Sequence, residues 1–251
     1  MIISHKFRFI FIKTAKTAGT SIEVFLSPLC GELDVFTPFS EPEVGHVPRN
    51  YTGRFNLAAD LSQKWGFFVE KKHISATWPM RELLSQYLKR IRYYHHIPAW
   101  QVRNRVSQEI WQQYFKFCVE RNPYDKALSA WSWYNHKTGG ASSLNEYLDT
   151  CERWMDSRDH AVGMWPYNYR NYVDPNTRDL LVDRIIQYDK LKDDLPQILE
   201  QLNIPVDLSN FPNAKAGMRS GQGYRTQYNN DQRKRVFELF KAEFEMHGYE
   251  F

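Results

Sequence analysis

The stretch Phe7-Arg8-Phe9-Ile10-Phe11-Ile12, followed at once by Lys13-Thr14-Ala15-Lys16-Thr17-Ala18-Gly19-Thr20-Ser21, decides how this chain is read. Apart from Arg8, the first six residues are β-branched or aromatic, as suits a strand buried in a parallel sheet. The residues after them are mostly small, so backbone N–H groups can approach a ligand closely. A helix can begin near Thr20 or Ser21, with Glu23 in its first turn and Ile22, Phe25 and Leu26 available for burial. The amides at that helix start, the positive end of its dipole and the Lys16 ammonium together form a cradle for a phosphate or sulfate. The common nucleotide loop sets its lysine after the last glycine and directly before Ser or Thr, whereas here Lys16 precedes Gly19. ATP and GTP are disfavoured accordingly.

Phe115-Lys116-Phe117-Cys118-Val119-Glu120 reads as a second buried strand, and it runs into Arg121-Asn122-Pro123-Tyr124-Asp125-Lys126-Ala127-Leu128-Ser129-Ala130-Trp131. Asn122-Pro123 breaks the strand and presets a helix start, because proline is tolerated in a first helical turn and drives its predecessor out of the α region. Ser129 then lies about two turns into the helix. Its hydroxyl and the Arg121 guanidinium are near enough to hold one phosphate together.

The order Lys-Thr-small-Gly-Thr-Ser after a strand resembles the 5′-phosphosulfate loop of sulfotransferases that use 3′-phosphoadenosine 5′-phosphosulfate (PAPS). Its common form in carbohydrate sulfotransferases is Pro-Lys-Thr-Gly-Gly-Thr-Ser, so Ala15 stands for the proline and Ala18 for the first glycine. The segment from Arg121 to Ser129 resembles the 3′-phosphate-binding segment of the same enzymes. The likeness is to carbohydrate, heparan-sulfate 2-O-like members of soluble bacterial type. It implies that Lys16, Thr17, Ala18, Gly19, Thr20 and Ser21 hold the 5′-phosphosulfate and that Arg121 and Ser129 hold the 3′-phosphate. Lys16 would also neutralise the oxygen that leaves with the product, 3′-phosphoadenosine 5′-phosphate (PAP). Lys71-Lys72-His73-Ile74-Ser75-Ala76 looks like the segment that supplies the active-site histidine. His73 is the expected general base, because an imidazole near its usual pKa can take the proton of an acceptor hydroxyl; His46 is the second candidate. A late basic loop closes over the nucleotide in the family, which makes Lys215, Arg219, Tyr224 and Arg225 candidates for the 3′-phosphate and adenine side. The implied acceptor is a hydroxyl of a saccharide or polysaccharide. No metal is required, since the leaving group is already a stable anion held by fixed cations.

Two other readings share these residues. One is a P-loop-type nucleotide kinase, and the other is a non-catalytic nucleotide- or glycan-binding protein. With 251 residues, 42% apolar and 25% charged, the chain has the composition of an ordinary globular protein and is read as one domain over 1–251. A net charge of +4 suits anionic ligands and is too small to point to nucleic acid. Cys30, Cys118 and Cys151 lack metal-ligand spacing. With no visible signal peptide and no run long enough to span a membrane, the expectation is a cytoplasmic enzyme.

Strands alternating with helices predict a three-layer, P-loop-like α/β domain whose central, mostly parallel sheet carries both phosphate motifs at strand carboxyl ends. Pro28 to Tyr51 reads as a surface excursion. The basic residues from Arg81 to Arg105 read as a solvated helix face or a groove for an anionic polysaccharide. Ile185 to Tyr188 reads as a late strand followed by an amphipathic helix, and Asn230 as the cap of a last helix ending at Gly248.

Overall fold

The computed structural model describes residues 1–39, 41–62, 77–156, 166–205, 211 and 223–251. Five strands, β1 (Ile2–Ser4), β2 (Phe9–Phe11), β3 (Val35–Phe36), β4 (Phe115–Glu120) and β5 (Arg184–Gln187), form one sheet in the order β3-β1-β2-β4-β5. The half that carries the two predicted loops is parallel, β2 with β4 and β4 with β5. The other half is antiparallel, with β1 between β2 and β3. These extra strands come from segments that looked like a short opening and a surface excursion, and at three and two residues they are too short to show a period. Asp34 fixes them, accepting hydrogen bonds from the Ser4 hydroxyl at 2.7 Å and from the amides of His5 at 2.6 Å and Gly31 at 2.9 Å.

Helices among the described residues include α1 (Gly19–Leu26), α2 (Thr77–Leu88), α3 (Ala99–Arg105), α4 (Gln108–Gln113), α5 (Pro123–Thr138), α6 (Leu144–Asp156), α7 (Tyr169–Tyr172), α8 (Leu191–Gln201), α9 (Asn230–Leu239) and α10 (Lys241–His247). Alternation along the strands sorts the side chains to two faces. Phe9, Phe11, Phe117 and Val119 meet Ile22 and Leu26 of α1 and Leu195 and Ile198 of α8. Ile10, Ile12 and Cys118 meet Trp100 and Val102 of α3 and Tyr172 of α7. Each such side chain stabilises the fold by about 1.5–3 kcal/mol. A separate core joins α5, α6, α9 and α10 through Leu128, Leu148, Val236 and Phe240. The cap of α9 is Asn229 rather than Asn230, in a reciprocal pair with Gln232, and the expected last helix breaks at Phe240 before reaching Gly248.

Not every basic residue between Arg81 and Arg105 faces water. Arg105 is fully buried, and its Nε and Nη2 both donate to Asp60, at 2.8 and 2.6 Å. A second buried cluster lies at the end of β4. Lys126 donates to Glu120 at 2.7 Å and to Glu243 at 2.5 Å, and all three side chains are inaccessible to water. Burial, and then the Glu120 carboxylate, push the Glu243 carboxyl above the ordinary glutamate range.

The folded chain therefore holds a proton that the unfolded chain releases. The stability it contributes is complete below the usual glutamate pKa and is lost as pH rises through the raised one. In urea unfolding over a pH series, Glu243→Gln should flatten this decline. Glu243→Ala, which leaves the buried amides of Asn168 and Tyr169 without their acceptor, should cost about 1–3 kcal/mol for each donor left unsatisfied.

Candidate active site

Because β2 and β4 are parallel neighbours, both chains leave the sheet at the same edge. The chain passes from β2 toward β3 on one side, and β4 lies on the other. A crevice opens at such a reversal of strand order. The Ile12 amide donates to the Phe117 carbonyl at 2.9 Å, and beyond it the Thr14 hydroxyl donates to the Val119 carbonyl. Past the strands, Arg121 Nη1 donates to the Lys16 carbonyl at 3.2 Å. The two motifs, about a hundred residues apart in sequence, thus touch directly.

The loop owes its shape to two left-handed residues, Lys16 at φ 62° and Ala18 at φ 61°. A left-handed residue followed by a helical one turns successive N–H groups toward the same point, which makes an anion-binding concavity. Ala18 is the N-cap of α1 and provides no side-chain cap. The first intrahelical bond runs from the Ile22 amide to the Ala18 carbonyl at 3.1 Å, so the amides of Gly19 and Thr20 precede it at the positive end of the helix. By contrast, α4 and α5 are capped by Ser107 and Asn122 side chains.

The loop side chains differ in burial and in partners. Thr17 is fully buried, its hydroxyl paired with that of Thr14 at 2.8 Å, so its amide is what it can offer an anion. Ser21 is buried and Thr20 half-buried. Lys13, which the sequence reading left without a role, is a buried cation under the loop. It pairs with Glu23 of α1 and lies 3.9 Å from the centre of the Phe39 ring. Gly19 must lack a side chain, because a Cβ there would sit 2.8 Å from Lys13 Cγ. Lys16 points the other way, its Nζ 5.6 Å from the centre of the Trp133 ring. Trp133 stands one turn beyond Ser129 on α5, so Lys16 and the half-buried Ser129 address the same face of that helix.

Arg121 is held in place by Asp125, to which Nε donates at 2.5 Å, and by the Tyr188 ring 4.2 Å from its guanidinium carbon. Tyr224 joins this corner: its hydroxyl accepts from Asn122 Nδ2 at 3.2 Å, and its ring lies parallel to that of Tyr124. Arg225 sits beside Tyr224 with its guanidinium carbon 5.7 Å from that ring's centre. His73, Lys215 and Arg219 lie outside the described residues.

Two other histidines do reach the loop. His46 stacks on Phe39 at 3.8 Å, and burial followed by the Lys13 charge lowers its pKa to about 4. His96 shares a hydrogen bond between Nδ1 and the Lys13 carbonyl at 2.9 Å. Its pKa is well below the usual value, chiefly because of burial. In the sequence His96 was hidden within a run of charges. Both imidazoles are therefore neutral at neutral pH, and His46 is left a weak base. Among the described residues, no group of three or more His, Cys, Asp and Glu side chains is placed to hold a metal ion. Nor is any helix among them long and apolar enough to cross a membrane.

Residues 1–250 match the model of the "Sulfotransferase family". An uncharacterized protein of Archaeoglobus fulgidus is 28% identical over 116 residues, 45% of this chain and 87% of the relative. The crystal structure of a sulfotransferase from Alicyclobacillus acidocaldarius superposes with a TM-score of 0.44 at 14% identity, covering 96% of each chain.

A left-handed alanine costs about 1–2 kcal/mol that glycine avoids. Ala18→Gly should therefore stabilise the protein by about 1 kcal/mol, read as a rise of about 2–4 °C in Tm. Gly19→Ala, which drives a methyl group into Lys13, should cost about 1–3 kcal/mol in the same measurement.

Proposed function

The chain belongs to the sulfotransferase family, and on that premise we propose that it moves the sulfuryl group of PAPS to a saccharide hydroxyl through one domain spanning 1–251. The contact between Arg121 and the Lys16 carbonyl supports this reading, because it sets the loops after β2 and β4 side by side at the carboxyl edge of one sheet. A donor with phosphate at both 3′ and 5′ positions would engage both motifs, which a single phosphate would not.

In this reading the amides of residues 17–20 and the Thr20 and Ser21 hydroxyls hold the 5′-phosphosulfate, while Arg121 and Ser129 hold the 3′-phosphate. Tyr224, with Lys215 and Arg219, serves the nucleotide side. The acceptor oxygen attacks sulfur in line. An S–O bond forms to it as the S–O bond to the 5′-phosphate breaks, and the departing electron pair stays on the phosphate oxygen of PAP. Lys16 meets that developing charge, as fixed cations do in phosphoryl transfer. The hydroxyl proton passes to His73. The lowered basicity of His46 supports His73 over it. The arrangement needs no metal, and the acceptor class and a cytoplasmic location belong to the same proposal.

Steady-state kinetics and PAP titration test these roles. Lys16→Ala should lower kcat by about 10²- to 10³-fold with little effect on PAP affinity. Arg121→Ala should weaken PAP binding by about 10- to 100-fold, the loss of one charged hydrogen-bonded contact. His73→Ala should lower kcat by about 10²- to 10⁴-fold. Near-normal turnover by Lys16→Ala, or tighter binding of ATP than of PAP, would overturn the assignment. A mass-spectrometric screen of saccharides with PAPS identifies the acceptor.

A further inference from the structure

We propose that Asn168 is a positioning residue for the anion loop, holding both backbone polar groups of Ala15 with its side-chain amide. Asn168 Oδ1 accepts from the Ala15 amide at 2.8 Å, and Nδ2 donates to the Ala15 carbonyl at 3.1 Å. The two residues are 153 positions apart, and Asn168 is 1% exposed. One planar group thus fixes the peptide planes on both sides of the residue before left-handed Lys16. Wherever these planes turn, the amides that line the cradle turn with them.

The clamp is itself anchored. Asn168 Nδ2 also donates to Glu120 Oε1 at 3.1 Å, and the Asn168 backbone amide donates to Glu243 Oε1 at 2.5 Å. Since Lys126 binds both carboxylates, Asn168 cannot rotate without breaking bonds to a buried charged cluster. The same turn of chain steadies the loop at a second point. Asn171 Nδ2 donates to the His96 carbonyl at 3.0 Å, and the His96 ring binds the Lys13 carbonyl.

This arrangement gives Ala15 its meaning. A proline at this position has no N–H and a fixed φ, and needs no acceptor beside it. Alanine brings a donor that must be satisfied and a backbone that must be restrained, and the Asn168 amide does both. Asn168 and the residue at 15 should therefore be coupled, and a proline at 15 should replace much of what Asn168 supplies.

The test compares Asn168→Ala, Ala15→Pro and the double variant in the full chain. Two measurements are made, hydrogen exchange of the amides in residues 13–21 and the steady-state constants. Asn168→Ala should speed exchange in this segment at least tenfold and raise the KM for PAPS by about 10- to 100-fold, the range of one or two lost buried hydrogen bonds. The acceptor KM should not move. In the double variant, the proline should recover most of the loss in KM. Unchanged exchange in Asn168→Ala, equal rises in both KM values, or no recovery with proline would overturn the clamp. If the alanine variant does not fold, Asn168→Ser is judged by the same criteria. The proposal rests on the donor-site reading only for its kinetic arm. Failure of the wild-type protein to bind PAP overturns that reading, and the exchange measurement then decides the clamp alone.

Discussion

The buried cluster of Glu120, Glu243 and Lys126 at the end of β4 is the constraint on which the surrounding structure depends. Desolvating such groups costs several kcal/mol per ion, and the cost is offset only when their oxygens find donors. Here that condition is met by drawing in neighbours. Glu120 accepts from the Arg121 amide at 2.8 Å, from Lys126 and Asn168, and from the Tyr172 hydroxyl at 3.1 Å. Glu243 accepts from Lys126 and from the amides of Asn168 and Tyr169. Satisfying the cluster thus fixes the start of α5, the approach to α7 and the position of α10 relative to the sheet. The Arg121 turn and the anion loop inherit their places from it.

The loop's two lysines take different places. Lys13 spends its charge on Glu23 and its stem on Gly19, so it fills the space under the loop and ties it to α1. Lys16, three residues on and in a left-handed conformation, turns toward α5. The Lys13 charge is held in a buried pair, and the Lys16 ammonium lies beside the Trp133 ring.

The parts of this architecture legible in the sequence were those encoded contiguously. The runs Phe7–Ile12 and Phe115–Glu120 announced buried strands, because such a run depends only on its own residues. The hairpin half of the sheet was not legible, since β1 and β3 are shorter than any period that could identify them. Neither were Asn168, Glu243 and Asp60, whose roles exist only through partners 153, 117 and 45 residues away. Arg105 and His96 lay inside a run of charges where an average over the segment reads as surface. Nothing in the sequence marks the break at Phe240, which carries neither proline nor glycine.

The long reach of these partners has a consequence for how the chain comes to its final form. Contacts between distant segments form only after the intervening loop has been closed, and chains dominated by them fold slowly. The strand that leads into the Lys13–Ser21 loop is made long before Asn168, yet Ala15 acquires its clamp only when Asn168 arrives, and Asn168 is locked only by Glu243 in α10. Until then an early apolar hairpin waits with an unfinished loop, a state open to chaperones and to aggregation. The loop is thus completed by a residue made 153 positions after it.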